Sequence, residues 1–205
     1  MGGDNSHVRQ RTRIIALRFC SILFLLCVLS FQPASDGTQF GTMLSIAGST
    51  LVIVSVLGRY WSIKHIRSRK NVILVQTGPY SCCRNPLYFF SFLLALGCGL
   101  ISKSIVLTIV FSLSVLYIFL KVIQKEERYL SCKFGEEYEL YRAQVPRIIP
   151  GVSASMRRSF LPDVRDSTRQ NRQLVETFSM LLLIPLVHMV KKIRDTLQLD
   201  VLVLI

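Results

Sequence analysis

Acidic side chains are few in this chain. Twelve Asp and Glu face 25 Lys and Arg over 205 residues, for a formal net charge of +13. In a soluble protein that surplus would point to nucleic acid. Here Lys and Arg gather at the flanks of apolar blocks, as membrane topology requires, so no nucleic-acid partner is expected. Charge of either sign is also sparse, at 18% of residues against 51% hydrophobic. Its concentration in blocks excludes an ordinary soluble core. Metal-binding residues are thin as well, with three His and six Cys. Cys20, Cys27, Cys82, Cys83, Cys98 and Cys132 form no CxxC pair and have no His at ligand spacing, so no metal site is expected. No disulfide framework is implied either, and Cys82-Cys83 should be free thiols in a reducing cytosol. No small-x-small cleavage site follows Phe31, so the first apolar block is read as an uncleaved span. Gly2 with Ser6 fits the permissive myristoylation pattern, which is read as coincidence.

What is present is an all-α integral membrane pattern. Four spans are expected, at about 14–31, 40–58, 86–102 and 104–120. Only Ser102-Lys103-Ser104 separates the last two, which forces a tight antiparallel helical hairpin. Gly97 and Gly99 would allow close contact within it. Residues 59–70 are basic and read equally as an interfacial segment or as a helical extension of the second span. Residues 178–190 are apolar but short for a span and contain Pro185 and His188, so a packed or interfacial fifth helix is expected there. The organisation is thus 1–58 as a two-span region, 59–150 as a core, and 151–205 as a basic connector with a short apolar helix. By the positive-inside rule, the N-terminus, the 59–85 loop and everything after Lys121 lie in the cytosol. Asp36 and Lys103 lie on the opposite side.

Two segments expected in the cytosol carry the chemistry. The first runs from Leu74 through Gly78-Pro79-Tyr80 to Arg84-Asn85-Pro86-Leu87-Tyr88. Gly78-Pro79 marks a turn, and Asn85-Pro86 starts a helix as N-cap and first helical residue. That helix start, beside Arg84, offers a place for a carboxylate or another anion. The second segment opens with Glu126-Glu127, a turn past the fourth span. It continues through Leu130, Phe134-Gly135, Tyr138 and Tyr141 to Val145-Pro146-Arg147 and Pro150. Adjacent helical residues point about 100° apart, so one Glu can face a site while the other faces water. Gly135 is placed to end the helix. A carboxylate here could bind the amino group or hydroxyls of a cofactor or offset a sulfonium charge. The competing reading is a solvated, salt-bridged helix with Lys125 and Arg128 as local partners.

These two motifs, around a short hydrophobic hairpin, resemble the isoprenylcysteine carboxyl methyltransferases and the phospholipid methyltransferases, over roughly 59–150. The resemblance implies an S-adenosylmethionine-dependent membrane methyltransferase that acts on a lipidic or prenylated acceptor at the cytosolic interface. Its positions for cofactor contact fall on Leu74, Val75, Tyr80, Asn85, Pro86, Tyr88 and one of Glu126 or Glu127. No residue is assigned a catalytic role. Asn85 stands where many members have His, and it cannot titrate. Val122 and Ile123 occupy the region where the isoprenylcysteine enzymes carry an Arg for the substrate carboxylate. Lys121 and Lys125 are the nearest cations. The competing readings are an NADPH-dependent sterol or enone reductase and a non-catalytic membrane protein that keeps the fold.

Overall fold

The computed structural model describes residues 4–66, 73–151, 175, 177–197 and 202–204. The expectations placed on Gly2, on the basic residues of 67–70 and on the arginine-rich connector within 152–174 lie outside the described residues. The chain divides into two units. One comprises Met1–Val52, Leu94–Val122 and Leu182–Ile205; the other comprises Ile53–Leu93 and Ile123–Leu181.

Helices dominate, as the apolar blocks require. They are α1 (Asp4–Ser30), α2 (Gln39–Ile66), α3 (Pro79–Cys82), α4 (Pro86–Ile101), α5 (Ile105–Phe134), α6 (Glu136–Gln144) and α7 (Leu183–Thr196), the last preceded by a 3-10 turn at Ser179–Leu182. Two of them, α2 and α5, are long and apolar enough to cross a membrane, and Ile15–Ser30 and Pro86–Ile101 are shorter apolar helices. The 16 residues of α4 reach about 24 Å at 1.5 Å per residue, short of a full hydrocarbon core. By length, then, two of the four expected spans stand without qualification. The choice left open for residues 59–70 falls to helix as far as Ile66, where α2 ends. By contrast, α5 continues unbroken for 30 residues, about 45 Å, so its last turns extend beyond a hydrocarbon core. It stops before Gly135, whose φ of 52° breaks the helix.

In the first unit, α4 turns into α5 through Ser102-Lys103-Ser104. Ser102 Oγ donates to the Gly99 carbonyl at 2.6 Å, and Ser104 Oγ accepts from the Leu107 amide at 3.3 Å as an N-cap. The two hairpin glycines serve different neighbours. A Cβ on Gly99 would lie 2.7 Å from Thr108 Cα in α5, as the hairpin expectation requires. A Cβ on Gly97 would instead lie 2.8 Å from the Gly48 carbonyl and 2.9 Å from Val52 in α2. Gly97 therefore closes the α2–α4 contact rather than the hairpin.

The fold is all-α in class, as expected, and carries in addition one short pairing, in which β1 (Phe31–Pro33) runs parallel to β2 (Leu202–Leu204). The positive-inside reading placed all residues after Lys121 opposite Asp36 and Lys103. Yet Arg194 Nη2 meets Asp36 Oδ2 at 3.0 Å, Lys191 Nζ lies 3.4 Å from Asp36 Oδ1, and Lys103 Nζ lies 2.7 Å from the same oxygen. These ion pairs bring the cations of α7 to the linker between α1 and α2. His188 is exposed on this helix.

Gly97→Leu should lower stability by about 1–3 kcal/mol through overpacking against α2. Thermal unfolding of the detergent-purified protein reads this, and an unchanged midpoint would contradict the close contact.

Candidate functional site

All of the site residues expected from sequence lie in the second unit, along 74–88 and 126–127. The Gly78-Pro79 turn is real. Gly78 has a φ of 61° and receives the His65 ring where a Cβ would stand. Pro79 then opens the single turn of α3, and Ser81 Oγ donates back to the Gly78 carbonyl at 2.7 Å. The chain runs extended through Cys83 to Asn85 and enters α4 at Pro86. The amides of Tyr88 and Phe89 both donate to the Asn85 carbonyl. Three contacts tie this loop to the end of the motif region. The Arg84 amide donates to the Pro146 carbonyl, the Gly151 amide donates to the Cys82 carbonyl, and Tyr141 Oη donates to the Tyr80 carbonyl at 2.6 Å. Tyr138, Tyr141 and Val145 form a core against which Leu74, Leu130 and Phe134 pack.

The two adjacent glutamates are separated by the helix turn between them, and their environments differ. Glu127 is buried, at 8% exposure. Its carboxylate takes Arg147 Nη2 at 2.9 Å, Arg84 Nη2 at 3.3 Å and Asn85 Nδ2 at 3.1 Å. Asn85 Nδ2 also donates to the Arg147 carbonyl at 3.0 Å, and Arg84 Nη1 donates to the Arg142 carbonyl at 3.1 Å. A buried carboxylate is tolerable only with this degree of pairing. Glu126 is half-buried and accepts from Tyr88 Oη at 2.8 Å. A carboxylate has about four acceptor sites, so Glu126 keeps spare capacity.

Three expectations are corrected by this geometry. The anion place beside the α4 start is filled from within, by Glu127. The partners of that carboxylate are Arg84 and Arg147, distant in sequence, while Lys125 and Arg128 are exposed. Asn85, expected as a side-chain cap, directs its amide to Glu127 and Arg147 instead. Arg147 was the residue that sequence reasoning passed over. The signal for it was the pairing of one Arg in each motif with a Glu in the second.

The remaining expected residues are placed as follows. Val75 and Pro86 are buried, and Leu74 serves the tyrosine core. Tyr80 is buried with no hydrogen-bond partner for its hydroxyl among the described residues. Burial first, then the charge of Glu126, hold its phenol above the ordinary range. Burial and then Glu127 push Tyr138 up to about 12, and burial pushes the Cys83 thiol up to about 12. Neither thiol of the 82–83 pair is paired in a disulfide. Ile123 is fully buried, Lys121 and Lys125 are exposed, and so are Glu136 and Glu137.

With this geometry in hand, comparison decides the family. The profile of the phospholipid methyltransferases matches residues 37–137. The chain is 39% identical over 92 residues to the protein-S-isoprenylcysteine O-methyltransferase of Schizosaccharomyces pombe, covering 43% of this chain and 39% of that one. The chain belongs to the phospholipid methyltransferase family. Family likeness thus reaches back through α2 and covers the Tyr88–Glu126 and Asn85–Glu127 pairs. Two further relatives carry other names. The cobalt-zinc-cadmium resistance protein CzcN of Cupriavidus metallidurans is 36% identical over 151 residues, 73% of this chain and 68% of its own. The nickel-cobalt-cadmium resistance protein NccN of Alcaligenes xylosoxydans is 32% identical over 143 residues, 70% and 67% respectively. No solved structure matches the chain significantly.

Glu127→Ala should cost roughly 3 kcal/mol, because it strands two guanidiniums in a partly buried site. Glu126→Ala, which removes one hydrogen bond at a half-exposed position, should cost about 1 kcal/mol or less. Equal losses in denaturant unfolding would contradict the division of roles.

Proposed function

We propose that the protein is an S-adenosylmethionine-dependent membrane methyltransferase with a lipidic or prenylated acceptor. The observation that carries this reading is the convergence of Tyr88, Glu126 and Tyr80. A carboxylate with unused acceptor sites adjoins one phenol by a hydrogen bond and, after burial, helps raise the pKa of another whose hydroxyl is buried without a partner among the described residues. An unsatisfied buried hydroxyl costs about 1–3 kcal/mol, which a ligand would recover. The donor set fits the cofactor. Glu126 would accept from an amino or ribose hydroxyl group and offset a sulfonium charge, and the tyrosine rings would suit a cation.

When bound, S-adenosylmethionine supplies an electrophilic methyl group. The chain's own residues then have two tasks, to align the partners and to exclude water. In this reading Glu127, Arg84, Arg147 and Asn85 hold the α4 start and the end of α5 at a fixed spacing, which fixes Tyr88 against Glu126. A carboxylate or thiolate acceptor needs no general base. That agrees with Asn85, which cannot titrate, in the motif. Ile123 in the core and the exposed Lys121 and Lys125 leave the acceptor carboxylate without the family's Arg, so an acceptor recognised by its apolar part suits the chain better.

Calorimetric titration of the detergent-purified protein with S-adenosylmethionine and with NADPH tests the proposal. S-adenosylmethionine should bind and NADPH should not. Glu126→Gln and Tyr88→Phe should each weaken binding about tenfold, the size of one lost charge-assisted hydrogen bond. Glu136→Gln should leave it unchanged. NADPH binding, or equal small effects at all three positions, would overturn the reading.

A further inference from the structure

The site residues expected from sequence lie along 74–88 and 126–127, and α2 is not among them. Yet the part of α2 that belongs to the second unit grips the chain on both sides of Tyr80 and Tyr88. Beyond Tyr88, Arg59 Nη1 donates to the Leu87 carbonyl at 3.5 Å and to the Ser91 hydroxyl. Ser55 Oγ donates to the Phe90 carbonyl, and the Phe90 ring fills the place where a Cβ on Gly58 would stand. Before Tyr80 the roles are reversed. There α2 supplies the ring, His65, and the turn supplies the glycine, Gly78.

His65 is 8% exposed and lies in the last turn of α2. Two contacts fix its ring. Nδ1 lies 2.9 Å from the Trp61 carbonyl, and because a carbonyl only accepts, Nδ1 carries the proton. The imidazole also stands edge-on to the Trp61 ring, with centroids 5.8 Å apart and planes at 90°. Both contacts come from α2 itself, so the helix sets where the imidazole stands. Gly78, with φ 61° and ψ −131°, adopts a conformation that suits glycine and lays its bare α-carbon against that ring. Nε2 finds no hydrogen-bond partner among the described residues, so shape rather than hydrogen bonding joins the ring to Gly78. The turn that follows has little slack. Pro79 fixes its own φ, and the amides of Tyr80, Ser81 and Cys83 donate to the carbonyls of Thr77, Gly78 and Pro79. A displacement at Gly78 is therefore passed on to Tyr80.

We infer that His65 is a positioning residue for the proposed cofactor site, its imidazole seated on Gly78 so as to fix where the turn holds Tyr80. This rests on the proposed function for what Tyr80 then contacts. His65 acts through the turn and touches no reactant.

Two substitutions in the full, detergent-purified chain separate the ring from its nitrogens. His65→Phe keeps a flat ring over Gly78 and removes both nitrogens. His65→Asn keeps a short amide that can donate to the Trp61 carbonyl and removes the ring. Hydrogen–deuterium exchange over 79–83 reads the turn, and calorimetric titration with S-adenosylmethionine reads the site. In His65→Asn, exchange over 79–83 should rise while 105–115 in α5 keeps the native rate. Binding should weaken about fivefold, or roughly 1 kcal/mol. His65→Phe should keep native exchange and bind within about twofold of the native chain. Native exchange in His65→Asn, faster exchange in His65→Phe, or a rise spread equally over the whole chain would overturn the inference. So would a loosened turn with unchanged binding. A native chain that binds no S-adenosylmethionine would overturn the proposed function instead, and the exchange comparison would then decide the seat alone.

Discussion

A carboxylate placed in a protein interior must be surrounded by donors or it will not stay charged there, and Glu127 meets that demand by drawing three segments together. Arg84 and Asn85 come from the loop before α4, Arg147 comes from the stretch after α6, and Glu127 itself rides on α5. Each of these residues would be costly to bury alone. Their mutual pairing makes the 82–86 loop, the end of α5 and the 145–151 segment a single arrangement. The backbone ties between Arg84 and Pro146, and between Gly151 and Cys82, follow the same seam.

That arrangement frees the neighbouring Glu126. One residue along a helix is a rotation of about 100°, enough to take the side chain from the charged interior to the half-open face where Tyr88 meets it. The pair is therefore two residues with two tasks rather than a doubled acid. One builds the frame and the other is left with acceptor capacity for a ligand. In the proposed reading that spare capacity would serve a methyl donor whose sulfonium and amino group suit a carboxylate flanked by phenols. The charge cluster around Asp36 follows the same rule, a part-buried carboxylate drawing Lys103, Lys191 and Arg194 from distant segments.

Much of this was legible in the residues. The Ser102–Ser104 turn, the helix break at Gly135, the turn at Gly78-Pro79 and the solvated character of Glu136 and Glu137 all follow from local chemistry, and local chemistry is what sequence displays. Partners distant in sequence were harder to see. Lys125 and Arg128 lie next to Glu127 in the chain, yet Arg84 and Arg147 win because burial rewards charges that approach from other segments. Gly97 turned to α2 rather than to its hairpin partner because small residues mark a close contact without naming the helix that makes it. Likewise, counting flanking cations says nothing of the partner each will find, and Lys191 and Arg194 meet Asp36 from the far end of the sequence.

The account stands on Glu127 as the frame and Glu126 as the free acceptor. Hydrogen–deuterium exchange on Glu127→Gln and Glu126→Gln tests this most directly. Amides in 82–89 and 145–151 should exchange faster in Glu127→Gln and remain as protected as the native chain in Glu126→Gln. Unchanged protection in Glu127→Gln, or equal loss in both variants, would contradict it.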